Sequence, residues 1–95
     1  MEPYVGLLTV DLFVPEAMSL KDKRQIVRSI LDRAAARFNV SVAEIDQLDN
    51  KRRASLAFVC VANETGRVRK VLGSVLRLVE DELRAEVLDS AIEIL

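Results

Sequence analysis

Between Ala54 and Ala62 there is not one charged side chain, and between Tyr4 and Val14 the only one is Asp11. A strand with one face in water alternates apolar and polar residues, so a segment apolar on both faces belongs inside a sheet. In residues 4–14, Leu8, Val10, Leu12 and Val14 share one face, and Val5, Leu7 and Phe13 share the other with Thr9 and Asp11. Residues 53–62 are the second such strand. A chain of 95 residues with two central strands has room left for edge strands and for helices that cover one face, which is a single two-layer domain over residues 1–95.

Each central strand runs into a helical pattern. Pro15 ends the first strand, and Ser19 offers an N-cap hydroxyl with Asp22 three places on. The helix expected over 20–37 has a buried stripe of Leu20, Val27, Ile30, Leu31, Ala34 and Phe38, with Lys21, Arg24, Arg28 and Asp32 on an outer line. After the second strand, either Asn63 or Thr65 can cap a helix whose stripe is Val68, Val71, Leu72, Val75, Val79 and Leu83. Its outer face holds Arg67, Lys70, Arg77 and Asp81. Gly73 inside that helix costs about 1 kcal/mol relative to alanine, a cost that close packing against the first helix or the sheet would offset.

The remaining segments read as edges. Residues 39–48 alternate weakly, Val40 and Val42 against Ser41, Ala43 and Ile45, with Glu44 and Asp46 interleaved to discourage edge pairing. Asp49, Asn50, Lys51 and Arg52 make the turn of a hairpin into residues 53–62, and residues 86–94 form a second edge strand interrupted by Asp89 and Glu93. The order is β-α-β-β-α-β. With right-handed crossovers this predicts an α+β, ferredoxin-like split β-α-β sandwich, a four-stranded antiparallel sheet with two helices on one face.

Composition then narrows function. There is no histidine, which removes imidazole bases and imidazole metal ligands, and the single Cys60 sits in the apolar run of the second strand, where a buried, reduced thiol is expected. No glycine-rich phosphate loop, paired cysteines or activated nucleophile can be assembled, so the chain is expected to be no enzyme and to hold no cofactor. Ser19 reads as a helix cap. Glu44, Asp46 and Asp49 suit a divalent cation in principle, but a carboxylate row of this kind more often guards an edge or pairs with nearby bases. The N-terminal residues lack a basic leader pattern and no apolar run reaches spanning length, which points to a cytoplasmic protein with no membrane partner.

Charge is unevenly placed although it sums to −1: residues 19–53 carry nine basic and five acidic groups, and 63–77 carry four and one, between acidic ends. The helices put their basic groups on the side away from the sheet, and Lys21, Lys23, Arg24, Arg28, Lys51, Arg52, Arg53, Arg67, Arg69 and Lys70 are the candidate phosphate or RNA contacts. The plainer reading is a solvated surface in which Arg28 pairs with Asp32, Arg77 with Asp81 and Glu80 with Arg84 at four-residue spacing. On the sheet face without helices, Val5, Leu7, Phe13, Ala57, Val59 and Val61 would leave an apolar patch that a homodimer covers. Base stacking there is not expected, because Tyr4, Phe13, Phe38 and Phe58 are the only aromatics.

Two stretches carry a resemblance to a known family: Ser19-Leu20-Lys21-Asp22-Lys23-Arg24 at the first helix, and Phe38-Asn39-Val40-Ser41-Val42-Ala43-Glu44 leading into the following strand. Together they resemble the bacterial YlxP-like family of small proteins of unknown function, over essentially the whole chain. The resemblance implies a ferredoxin-like fold and a gene setting among translation and ribosome-maturation factors, and it implies no activity or catalytic residue. Asp46 and Asp49 match acidic positions of that family, and Lys51 stands near a place where relatives often have tryptophan. Two functions follow as expectations: a non-enzymatic factor that meets RNA or the ribosome through basic helix surfaces, or a homodimeric regulatory or protein-interaction module with no nucleic-acid role.

Overall fold

A computed structural model describes residues 2–95. The elements are β1 (Tyr4–Phe13), α1 (Leu20–Arg37), β2 (Ser41–Asp46), β3 (Arg53–Ala62), α2 (Thr65–Glu80) and β4 (Glu86–Ile94). The sheet order is β2-β3-β1-β4, antiparallel throughout, so the two most apolar strands are central and the two acidic strands are the edges. This is the ferredoxin-like sandwich expected from the sequence.

The core lies between the sheet and the helices. Leu8, Val10 and Leu12 of β1 and Ala54, Leu56, Phe58 and Cys60 of β3 meet Val27, Ile30 and Ala34 of α1 and Val68, Leu72, Val75, Leu78 and Val79 of α2. Gly6 lets α2 lie directly on β1: a Cβ there would collide with Val68 Cγ1 and come within 2.9 Å of Leu72 Cδ1. Burial of Cys60 pushes its thiol pKa up, so it stays protonated and inert as a nucleophile.

Local signals hold at α1 and fail at α2. Ser19 caps α1, its Oγ accepting from the Asp22 N–H at 3.1 Å while Asp22 Oδ2 accepts from the Met18 N–H at 3.0 Å. At α2 the N-cap position is Glu64, with no side-chain cap bond, so neither Asn63 nor Thr65 plays that part. Leu83 does not continue the α2 stripe: the helix stops at Glu80 and Leu83 is 99% exposed, because the chain turns toward β4 before the next helical position is reached. Leu78 is buried in its place. Gly73 makes no close approach, since a Cβ there would meet only Arg77 Nη1 at 3.9 Å.

β2 is shorter than the alternation over 39–48 suggests. A register shift between Glu44 and Asp46 interrupts its pairing with β3, and Gln47 follows in the left-handed region at φ 63°, starting the turn that Asn50 closes with an N–H to the Gln47 carbonyl. A second shift falls between Asp11 and Leu12 where β1 pairs with β4.

Candidate functional site

Lys23 is the first correction to the set of expected phosphate contacts. Its side chain is fully buried, and Nζ donates to Glu44 Oε2 at 2.8 Å and to the carbonyls of Gln47 at 2.9 Å, Arg53 at 3.3 Å and Leu48 at 3.5 Å. An ammonium caged by a carboxylate and backbone oxygens cannot meet a phosphate. It fastens the start of α1 to both sides of the β2–β3 turn. The sequence held a signal for this, because the buried residues of α1 are Lys23, Val27, Ile30 and Ala34, a helical stripe in which position 23 is inward-facing.

Arg53 is the second correction. It is opposite Phe13 in the β1–β3 register, on the open face of the sheet, and its Nε is buried without a partner. The alternation of β3 decides this, since Ala54 takes the inward position. The other eight candidates, Lys21, Arg24, Arg28, Lys51, Arg52, Arg67, Arg69 and Lys70, are exposed. They do not form one surface. α1 begins where β1 ends at Phe13, whereas α2 begins beyond Ala62, which is opposite Tyr4 at the other end of β1. Lys21, Arg24, Lys51 and Arg52 therefore cluster about one strand length, roughly 30 Å, from Arg67, Arg69 and Lys70. Arg52 is anchored by an Nε–H to the Ala17 carbonyl at 3.1 Å.

The expected four-residue pairings do not form. Among the described residues the ion pairs are Lys23 with Glu44 and both Arg33 and Arg84 with Glu82, which leaves Arg28 and Asp32, and Arg77 and Asp81, without each other. Arg77 turns instead to Ser74 Oγ. Glu82, nearly buried in the α2–β4 turn, receives Arg33 Nη2 at 2.7 Å and both the backbone and guanidinium N–H groups of Arg84 at 2.9 Å. The side-chain hydrogen bond from Arg84, with its charge and that of Arg33, holds the Glu82 carboxyl at a pKa of about 2. This latch between α1 and the turn had no clear sequence signal, because its members are 49 residues apart.

The open sheet face carries every residue expected of a dimer surface. Val5 is opposite Val61, Leu7 opposite Val59 and Thr9 opposite Ala57, an apolar area flanked by Ala43 and Ala91 on the edge strands. Phe13 is separated from that area by a polar row in which Asp46, Ser55, Asp11 and Asp89 follow one another across the four strands. Ser55 Oγ donates to Asp11 Oδ1 at 2.7 Å within it. The Glu44, Asp46 and Asp49 trio does not assemble: Glu44 turns inward to Lys23, while Asp46 aligns with Ser55 in the open-face row. Among the described residues no three acids or cysteines converge on a metal position. Among the described residues no helix is long and apolar enough to cross a membrane.

Three comparisons fit this architecture. The family model described as "Protein of unknown function (DUF503)" matches residues 5–92. The uncharacterised protein YlxP of Bacillus subtilis (strain 168) is 32% identical over 76 residues, which is 80% of this chain and 83% of that protein. Among solved structures, a C-terminal segment of the alpha subunit of aIF2 from Pyrococcus abyssi superposes with a TM-score of 0.58 at 14% identity, covering 97% of this chain. This chain spans half the length of that solved chain, and the likeness is one of fold.

Proposed function

This chain belongs to the DUF503 family of proteins of unknown function, and from that premise we propose that it is a non-enzymatic factor that acts by association, as a homodimeric protein-interaction module. One observation carries the reading: Val5, Leu7, Ala57, Val59 and Val61 lie together on a sheet face that no helix covers, with Val61 still 52% exposed. Size sets the strength of such a dimer. Four strands are about 19 Å wide and a ten-residue strand about 33 Å long, so the face offers at most about 600 Å² per copy. That reaches the roughly 1,000 Å² total of a specific interface only if most of the face is used, and the aspartate row resists such use. A weak, micromolar dimer is the expectation. Sedimentation equilibrium of the chain and of a V59K/V61K variant tests it. The variant should be monomeric where the parent associates, and a parent monomeric at every concentration would refute the reading.

A second reading keeps a specific observation of its own. Lys21, Arg24, Lys51 and Arg52 are exposed at one end with no carboxylate pairing among the described residues, a set that suits contact with RNA or ribosomal phosphates. Binding to ribosomal subunits and to free ribosomal RNA across a salt series tests it. Four neutralised phosphates give a log–log slope of about −3 to −4, and no binding at low salt removes this reading.

A further inference from the structure

β2 is an edge strand, so the outer row of its backbone N–H and C=O groups has no strand to pair with. Above that edge, α1 overhangs an open groove of about 400 Å³ lined by Arg24, Val27, Arg28, Leu31 and Asp32 from the helix and Glu44 from the strand. The floor is apolar, Val27 buried and Leu31 half-buried, and the rim carries exposed Arg24 and Arg28 with exposed Asp32 one helical turn beyond Arg28. Arg24 and Arg28 pair with no carboxylate among the described residues, and Glu44 is already neutralised by Lys23.

We propose that this groove is a docking site for an extended segment of a partner protein, which adds a strand to the free edge of β2 and places an apolar and an acidic side chain, two residues apart, beneath α1. Alternate residues of a strand lie about 6.8 Å apart on one face, and the midpoint of Arg24 and Arg28 lies about 4.5 Å along the helix from the midpoint of Val27 and Leu31, a difference that side-chain reach takes up. The apolar side chain covers Val27 and Leu31, and the carboxylate sits between the two guanidinium groups; the backbone bonds supply affinity and the two side chains supply selectivity. The register shift after Glu44 confines the pairing to Ser41–Glu44. A second copy of this chain is a poor occupant, because the inward side chains of its own edges, Val42 on β2 and Val87, Ile92 and Ile94 on β4, already pack on its core. Nucleic acid is disfavoured by the absence of an aromatic side chain in the groove lining.

The probe is a fluorescent decapeptide with serines on one face and alternating valine and glutamate on the other, titrated into the isotope-labelled chain. Binding should shift the amides of residues 41–44 and protect them from exchange. Methylating the peptide nitrogens in one alternate set should abolish binding, and methylating the other set should not. R24E/R28E, two exposed positions that leave the core intact, should weaken binding by roughly tenfold or more. A peptide with lysine in place of glutamate should not bind. The proposal is overturned by no binding at about 1 mM peptide, or by binding that moves α1 amides and leaves 41–44 untouched. An oligouridylate competing at equal affinity would also overturn it, returning Arg24 and Arg28 to the phosphate reading. Association of the chain alone through 41–44 would assign the edge to a second copy and likewise sink the proposal.

Discussion

Replacing Lys23 with methionine keeps the apolar stem and deletes the ammonium. The variant leaves the Glu44 carboxylate, whose side chain is only 15% exposed, beside an uncharged group, and it strips a donor from the Gln47 and Arg53 carbonyls. Breaking a buried pair from one side costs about 3–5 kcal/mol. The residual exposure of Glu44 allows some rehydration, which puts the expected loss near the lower bound, about 3 kcal/mol. In urea at pH 7, with a slope of about 1 kcal/mol/M for a chain of this size, the unfolding midpoint should fall by about 3 M. The double variant K23M/E44L removes both charges and should recover about half of that loss. Hydrogen exchange should also rise first in residues 46–53, the hairpin that the ammonium fastens. A single-variant loss below about 1 kcal/mol, or a double variant no better than the single, would refute the assignment of Lys23 as the clamp between α1 and the hairpin.

The other predictions concern separate devices. Glu82, lowered from 4.5 to about 2, contributes stability that is fully present above pH 4.5 and lost as pH falls through about 2; E82Q should cost about 2 kcal/mol at neutral pH, discounted because both arginines are half-exposed, and should flatten acid unfolding in that window. A loss equal at pH 7 and pH 2 would show that the charge is not responsible. G73A should stabilise by about 0.5–1 kcal/mol by thermal melting, since nothing crowds the new methyl group. G6A should destabilise by about 1–3 kcal/mol, because α2 must lift off β1. S19A should lose about 1 kcal/mol through the Asp22 N–H that its hydroxyl satisfies.

The phosphate candidates show where reading by residue type stops. Lysine and arginine are almost never fully buried, so an outward Lys23 is the default reading. Its position in the stripe with Val27, Ile30 and Ala34 outweighed that default only because Glu44 and three carbonyls converge on it. Arg53 was misplaced for a simpler reason. Alternation along β3 fixes it opposite Phe13, and charge alone says nothing about which face a strand residue takes.

The sequence by itself determined the element order, the antiparallel sheet with β1 and β3 at its centre and the α1 cap at Ser19. Each of these follows from period, polarity or a local hydrogen bond within a few residues. The tertiary structure alone decided the burial of Lys23, the Arg33–Glu82–Arg84 latch, the contact of α2 on Gly6 and the overhang of α1 beside the β2 edge. Lys23 and Glu44 are 21 residues apart in the chain, Arg33 and Glu82 are 49 apart, and Gly6 and Leu72 are 66 apart. No local pattern records such contacts, because they form only when the helices settle at a particular height and tilt on the sheet, which packing of the whole core sets.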